Sequence, residues 1–513
     1  MDEKALNACR TAFADAGPAV TLGAPLHGGS CAPEPLVRIP LAMMNRHGLI
    51  AGATGTGKTK TLQLLAEQLS AAGVPVFLAD LKGDLSGLGA AGEADERVAK
   101  RAGETGWAWR PSPFPIELLS LTGARGAQLR ATVSSFGPLL LAKVLRLNET
   151  QASVLALVFK LCDDRDLELL DFADLRAVLQ FLTGPGADEL ASYGGISKQS
   201  VGVLFRKMVE LEQQGASAFF GEPEFDLGDL MQVERDGRGL VSVLELSDVQ
   251  DKPALFSTFL MWMLARLYNE LPEVGDLEKP KLVFFFDEAH LLFDDASKAF
   301  LEQVEQVARL IRSKGVGVFF VTQTPKDVPE GVLAQLGHRV QHALRAFTPN
   351  DQKALRATVR TFPNSDLYDL EETLTTLGIG EALVTVLSAR GVPSPPFATR
   401  LVPPSSRMAP LTEAEVQQRL ASSPQVKRYR EAIDRESAEE KLAAELAPAG
   451  DGEAVRRGSA SSRGGSARAA DPGTLERVLR SPVTRSVAVA VAGTITRGIL
   501  GAILGPTRRR SRR

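Results

Sequence analysis

The stretch "HGLIAGATGTGKTKTLQLL" (residues 47–65) constrains this chain more than any other feature, because it contains Gly52-x-x-x-x-Gly57-Lys58-Thr59. That spacing makes a phosphate-cradling loop only when a strand enters it and a helix leaves it. Both flanks comply. Leu49, Ile50 and Ala51 read as a short buried strand, and Leu62, Leu65, Ala66 and Leu69 recur at helical spacing until Gly73 stops them. Glycines at 52, 55 and 57 allow backbone conformations that other residues resist. The N–H groups of Gly52, Ala53, Thr54, Gly55, Thr56, Gly57, Lys58, Thr59 and Lys60 can then turn toward phosphate oxygens, helped by the positive end of the helix. Lys58 is expected to reach the β- and γ-phosphates, and Thr59 to offer its hydroxyl to Mg²⁺. ATP and Mg²⁺ are therefore the expected cofactors.

A loop that holds phosphate needs a second group to hydrolyse it. Asp287 and Glu288 follow the unbroken apolar run "KLVFFF", which reads as a fully buried strand. A carboxylate there lies at the carboxyl edge of a sheet, where open α/β folds bind ligands. Asp287 is expected to hold Mg²⁺ and Glu288 to polarise the attacking water. Gln323 ends a further strand, "VGVFFVTQTP", as either a γ-phosphate contact or a turn residue. Arg339 and Arg345 are candidates for an arginine supplied in trans, against the alternative of ordinary strand or surface arginines. "DLKGD" (80–84) also follows a strand and either positions water or is a plain loop. Arg309, Arg312 and Lys314 read as a solvated helix face. His47, His290, His338 and His342 lack metal-ligand spacing, and Cys9, Cys31 and Cys162 form neither a metal site nor a disulfide framework.

Strands alternating with helices predict an α/β fold, its mostly parallel sheet covered by helices on both faces. The expected organisation is a helix over residues 1–20, a core over 21–121 and 236–403, and an α-helical insertion over 122–235. A charged helical segment follows over 404–448, with a capping box at Thr412 and Glu415. Residues 449–480 read as a flexible linker and 481–513 as an apolar helix with an arginine-rich tail. Residues 451–513 carry thirteen arginines against four acids, which leaves the rest of the chain at −12. Such a tail either touches something anionic or keeps the chain soluble. The apolar run 486–505 is long enough to span a membrane, but Arg497 interrupts it. Docking on the body or on a neighbouring subunit and peripheral membrane anchoring stand as the other two readings. The N-terminus shows no apolar leader, so a cytoplasmic location is expected.

The motifs "NRHGLIAGATGTGKTKTLQ", "DLKGDLSGL", "FFFDEAHLLF", "SKGVGVFFVTQTPKDVP" and "LGHRVQHALRAFTPNDQKAL" resemble the HerA-like branch of the HerA/FtsK ATPases, and within it the bacterial DUF853 (YjgR-like) group. The resemblance covers roughly residues 20–400. It implies that the α/β fold is a RecA-like P-loop NTPase core, with one extra strand between the two nucleotide motifs, in a homo-oligomeric ring, a hexamer, with ATP at subunit interfaces. It implies Gln323 as sensor and favours Arg345 over Arg339 as the trans arginine. HerA proper carries an N-terminal β-barrel associated with a partner nuclease. Only 51 residues precede Gly52 here, so the resemblance does not extend to that partner.

Three functions are compatible with these residues. The first is an ATP-driven motor that translocates or remodels double-stranded DNA through local, sequence-tolerant phosphate contacts. The second is an ATPase acting on a protein, with the helical insertion as its docking surface. The third is a nucleotide-gated scaffold that turns over slowly.

Overall fold

The computed structural model describes residues 3–14, 17–189, 195–293 and 298–446. Thirteen strands form one sheet among them: β1 (Ala19–His27), β2 (Ser30–Cys31), β3 (Val37–Pro40), β4 (Gly48–Ala51), β5 (Val76–Asp80), β6 (Ile116–Ser120), β7 (Ala127–Gln128), β8 (Val241–Glu245), β9 (Leu282–Phe286), β10 (Val316–Thr322), β11 (His338–His342), β12 (Glu381–Thr385) and β13 (Phe397–Leu401). The order is β2-β1-β13-β12-β11-β4-β10-β9-β5-β8-β6-β7, with β3 beside β1. From β11 to β7 all neighbours are parallel; from β11 back to β2 all are antiparallel. β10 lies between β4 and β9, so one strand separates the phosphate loop from the Asp287-Glu288 strand. This is a RecA-like P-loop core.

The unbroken apolar strands follow from burial on both faces. Side chains alternate along a strand with period two. Phe284, Phe286, Val318, Phe320, Phe77 and Leu49 enter one apolar cluster, and Val283, Phe285, Phe319, Val321, Leu78 and Ile50 enter the other. The second face is covered by the helix Lys58–Ala71 through Leu62, Leu65, Ala66 and Leu69, the four positions whose spacing predicts it. The first face is covered by the helix Pro253–Glu270 and, in the same continuous cluster, by the helices Val133–Val144, Glu149–Asp164, Phe172–Thr183 and Lys198–Gln213. The inserted helices therefore share the core of the sheet.

The sequence expectations need correction at the N-terminal edge. The first helix spans Glu3–Ala12, not residues 1–20, because Gly17 and Pro18 precede β1, whose Val20, Leu22 and Ala24 are fully buried. The Pro- and Gly-rich stretch 21–46 is strand and 3₁₀ turn, and β13 lies in a proline-rich stretch that gave no strand signal. Pairing with β12 through long-range contacts is what orders that extension. The linker 449–480 and the segment 481–513 lie outside the described residues. Among the described residues no helix is long and apolar enough to cross a membrane. Cys9, Cys31 and Cys162 are free thiols.

A strap after β13 fixes the phosphate-loop helix from outside. Glu67 on that helix is buried and accepts hydrogen bonds from the N–H groups of Ser405 (2.7 Å) and Ser406 (3.1 Å) and from Ser406 Oγ (2.9 Å). Gln63 donates to Ser406 Oγ at 2.7 Å and to the Arg407 carbonyl at 3.0 Å. The capping box Thr412/Glu415 forms and starts the helix Glu413–Ser422. The chain then returns to the inserted helices, where fully buried Tyr429 donates to Asp229 Oδ2 at 2.7 Å. Burial pushes the Glu67 carboxyl up to about 7, against the pull of its three donors. A carboxyl raised on folding adds stability at low pH that is lost as pH climbs from its unfolded value, about 4.5, through 7. The expected result is that wild type loses stability relative to Glu67→Gln across that interval. Paired denaturation curves at pH 4.5, 6 and 8 check this, and a constant gap would contradict it.

Candidate nucleotide site

The loop has the geometry its glycines predict. Gly52, Gly55 and Gly57 all have positive φ (153°, 77° and 109°). At Gly52 a Cβ would also meet the His342 Cβ at 2.5 Å, so a side chain is excluded there twice over. The loop is tied to its surroundings by its own backbone. Gly52 N–H donates to the Gln323 carbonyl (3.1 Å), Ala53 N–H to the Ala343 carbonyl (2.9 Å), and the Thr56 carbonyl accepts from Gly380 N–H (3.0 Å). Thr54 and Gly55 are exposed at its tip, and Thr56 donates inward to the Ala53 carbonyl at 2.7 Å. Gly57 caps the helix without a side-chain bond, which leaves first-turn N–H groups for an anion.

Lys58 is buried and donates to the Ala53 carbonyl at 3.2 Å. Burial holds its ammonium below the usual lysine range, and the charge of Glu288 is the strongest influence opposing that. Lys82, Asp287 and Asp327 also act on it. These residues follow β4, β5, β9 and β10, whose carboxyl ends the sheet order brings to one edge. The Lys60 side chain is engaged outside the loop, so only its N–H is offered to phosphate. Its ammonium donates to the Met408 carbonyl and to Gln63 Oε1, on the helix face turned to the strap.

Asp287 and Glu288 leave β9 buried. Asp287 Oδ1 accepts from Glu288 N–H at 2.9 Å, while Oδ2 is buried without a hydrogen-bond partner. Burial, then the neighbouring Glu288 charge, pushes Asp287 up to about 7. An unsatisfied buried carboxylate oxygen is costly unless something binds it. One such oxygen at the sheet edge that also carries the phosphate loop fits Mg²⁺, which takes few protein ligands and fills its shell with water and phosphate. Glu288 has φ 47° and pairs with Lys82 through Oε1. Its Oε2 lies 3.3 Å from His290 Nδ1, yet neither atom has a partner of hydrogen-bonding geometry.

The remaining candidates separate by position. Gln323 is exposed directly after β10, and its carbonyl serves the loop. Arg345 is exposed just after β11, the strand beside β4. Arg339 sits inside β11 opposite Leu49, three residues or about 10 Å of strand before Gly52. It is largely buried with an unpartnered Nη1, so it is poorly placed to act across an interface. Asp80 is the organiser of its loop. It is fully buried and accepts from the N–H groups of Lys82 (3.2 Å), Gly83 (2.8 Å), Asp84 (3.4 Å) and Leu85 (2.8 Å).

Sequence patterns missed three contributors. Lys82 and His290 both meet Glu288, and buried His342 bonds Thr61 Oγ1 at 2.8 Å beneath the loop. The signals were the proximity of His290 to Glu288 in sequence and, for Lys82, its place in the "DLKGD" stretch after a strand. His47 and His338 are buried structural histidines: His47 bonds the Ala308 carbonyl (2.6 Å) and Val318 N–H (3.0 Å), and His338 bonds the Met43 carbonyl (2.7 Å). Among the described residues no group of three or more His, Cys, Asp or Glu forms a metal cluster.

The DNA double-strand break repair helicase HerA of Sulfurisphaera tokodaii is 26% identical over 358 residues, 68% of this chain and 64% of that protein. The protein of the same name from Saccharolobus solfataricus is 22% identical over 68% of this chain and 63% of its own length. The chain thus spans less than two thirds of these curated relatives. Among solved structures, plasmid coupling protein TrwB in complex with ADP and Mg²⁺ aligns at TM-score 0.48 and 15% identity, over 75% of this chain and 94% of that one. VirB4 of Thermoanaerobacter pseudethanolicus aligns at TM-score 0.45 and 15% identity, over 75% and 97%. The family model "Helicase HerA-like C-terminal" matches residues 29–510, and the chain belongs to that family.

Proposed function

We propose that this chain is a Mg²⁺-dependent ATPase that works as a ring-forming motor on double-stranded DNA. The observation that carries the proposal is the convergence of Lys58 with Asp287 and Glu288 at one sheet edge, with two buried carboxylate oxygens left unsatisfied. In this reading the loop N–H groups of residues 52–60 hold the triphosphate of ATP, and Lys58 turns from the Ala53 carbonyl to the phosphates. Thr59 and Asp287 hold Mg²⁺, which when bound neutralises charge on the phosphates. Glu288 aligns the water with its carboxylate and takes its proton. Gln323 stands at the γ-phosphate end. Exposed Arg345 is the group offered to the site of a neighbouring copy, which is why a ring is proposed.

DNA as substrate is supported by the two curated relatives described above, each named a DNA double-strand break repair helicase. The body outside the basic tail is acidic, so DNA contact must be local and made through phosphates. Phosphate contacts release counterions and weaken steeply with salt. Steady-state ATP hydrolysis is therefore expected to rise about fivefold or more on adding linear double-stranded DNA at roughly 50 mM salt, and to lose most of that gain by about 200 mM. Robust turnover indifferent to DNA would transfer the proposal to a protein substrate.

A further inference from the structure

Glu288 is held more tightly than a residue that only waits for water requires. It stands in the left-handed region, which a non-glycine side chain keeps only when its surroundings over-determine it. Its N–H is fixed by Asp287 Oδ1 at 2.9 Å, and its Oε1 is engaged by the Lys82 ammonium. Lys82 belongs to another element, the turn after β5, where its own N–H is gathered by Asp80. The pair is unequal in access. The Glu288 side chain is 8% exposed and that of Lys82 is 49% exposed. Burial works against the Lys82 ammonium, but the hydrogen bond and charge of Glu288 outweigh it and hold it above the usual lysine range. Lys58, the other cation at this edge, is engaged with the Ala53 carbonyl. Of the two partners, then, only the cation is free to be drawn away by an incoming anion.

We propose that Lys82 is a detachable clamp on Glu288, a positioning residue that restrains hydrolysis while the ion pair is closed. The proposal rests on Glu288 being the water-aligning group. While Lys82 is bound, one carboxylate oxygen is occupied and the carboxylate cannot swing toward a water. A phosphate reaching Lys82 gives the ammonium a second anionic partner and frees Glu288. That phosphate belongs either to the bound nucleotide or to a nucleic-acid strand, and the test separates the two.

The experiment compares wild type, Lys82→Met, Lys82→Arg and Glu288→Gln in the full chain, measuring kcat and KM for ATP with and without double-stranded DNA. Lys82→Met is expected to raise basal kcat about fivefold with KM within about twofold. Lys82→Arg, which keeps the cation, is expected to bring kcat back toward wild type. If DNA then fails to stimulate Lys82→Met further, the releasing phosphate is that of the nucleic acid. If DNA stimulates it by the wild-type factor, the releasing phosphate is that of the nucleotide. A kcat for Lys82→Met equal to or below wild type overturns the clamp. Full activity in Glu288→Gln would instead overturn the assignment of Glu288 itself.

Discussion

Replacing Glu288 by glutamine is expected to cut ATP turnover by about a hundredfold to a thousandfold while leaving nucleotide affinity within about twofold. The two halves of that expectation come from separate atoms. Binding is assigned to the loop N–H groups, Lys58, Thr59 and Asp287, none of which the substitution touches. Hydrolysis needs a carboxylate that accepts a proton from water, and an amide of the same shape does not. Glutamine keeps an oxygen to accept from Lys82, so the left-handed turn at position 288 retains its main tether. The Asp287 Oδ1 bond to the backbone N–H of residue 288 is also unaffected. Rapid-quench hydrolysis together with equilibrium titration of a fluorescent ATP analogue checks both halves. Turnover within tenfold of wild type would remove Glu288 from the mechanism, and a matching collapse of affinity would assign it to binding.

The second large effect is expected at Lys58. Lys58→Ala should weaken ATP binding by about a hundredfold or more, and hydrolysis should fall with it. Hydrogen bonds to charged groups contribute about 1.5–3 kcal/mol each, and an ammonium on a triphosphate makes more than one. The cation is also buried, so its field on the phosphates is poorly screened. The fold should survive. The only hydrogen bond that the Lys58 side chain makes among the described residues goes to the Ala53 carbonyl, and that bond must open when phosphate arrives. The helix below is held by Leu62, Leu65, Ala66 and Leu69 and by the Glu67 strap. Isothermal titration with ATP, beside thermal denaturation of the same variant, separates a lost ligand contact from a lost fold. Wild-type affinity in Lys58→Ala would contradict the placement of phosphate on this loop.

These two residues were legible from sequence because their surroundings are local. A strand, three glycines and an amphipathic helix occupy one short stretch of chain, and their order alone marks the loop. The β9 strand was legible for a related reason: five consecutive apolar residues, Leu282–Phe286, too short for a helix and rich in aromatic side chains, suit a strand covered on both faces. The carboxylates that follow then fall at the sheet edge whatever the rest of the chain does. Lys60 shows the limit of this logic. It directly follows the motif, but helical periodicity turns its side chain to the strap, whose presence no local pattern reveals.

The sequence by itself determined the phosphate loop, the Asp287-Glu288 edge, the doubly covered parallel strands and the helical insertion, because each follows from backbone preference and burial period over a few turns or one strand. Only the tertiary structure decided the rest. It placed Lys82 on Glu288 across 206 positions of chain, Tyr429 on Asp229 across 200, and the Ser405–Ser406 strap on Glu67 across 338 and 339. It made Asp80 an organiser of its turn, put Arg339 inside a strand and left Arg345 exposed, and built β1 to β3 and β13 into an antiparallel extension. The physical reason is common to all of them. Their partners are chosen by strand order and by which helix covers which face, and those are properties of the whole packed sheet that no local stretch of sequence encodes.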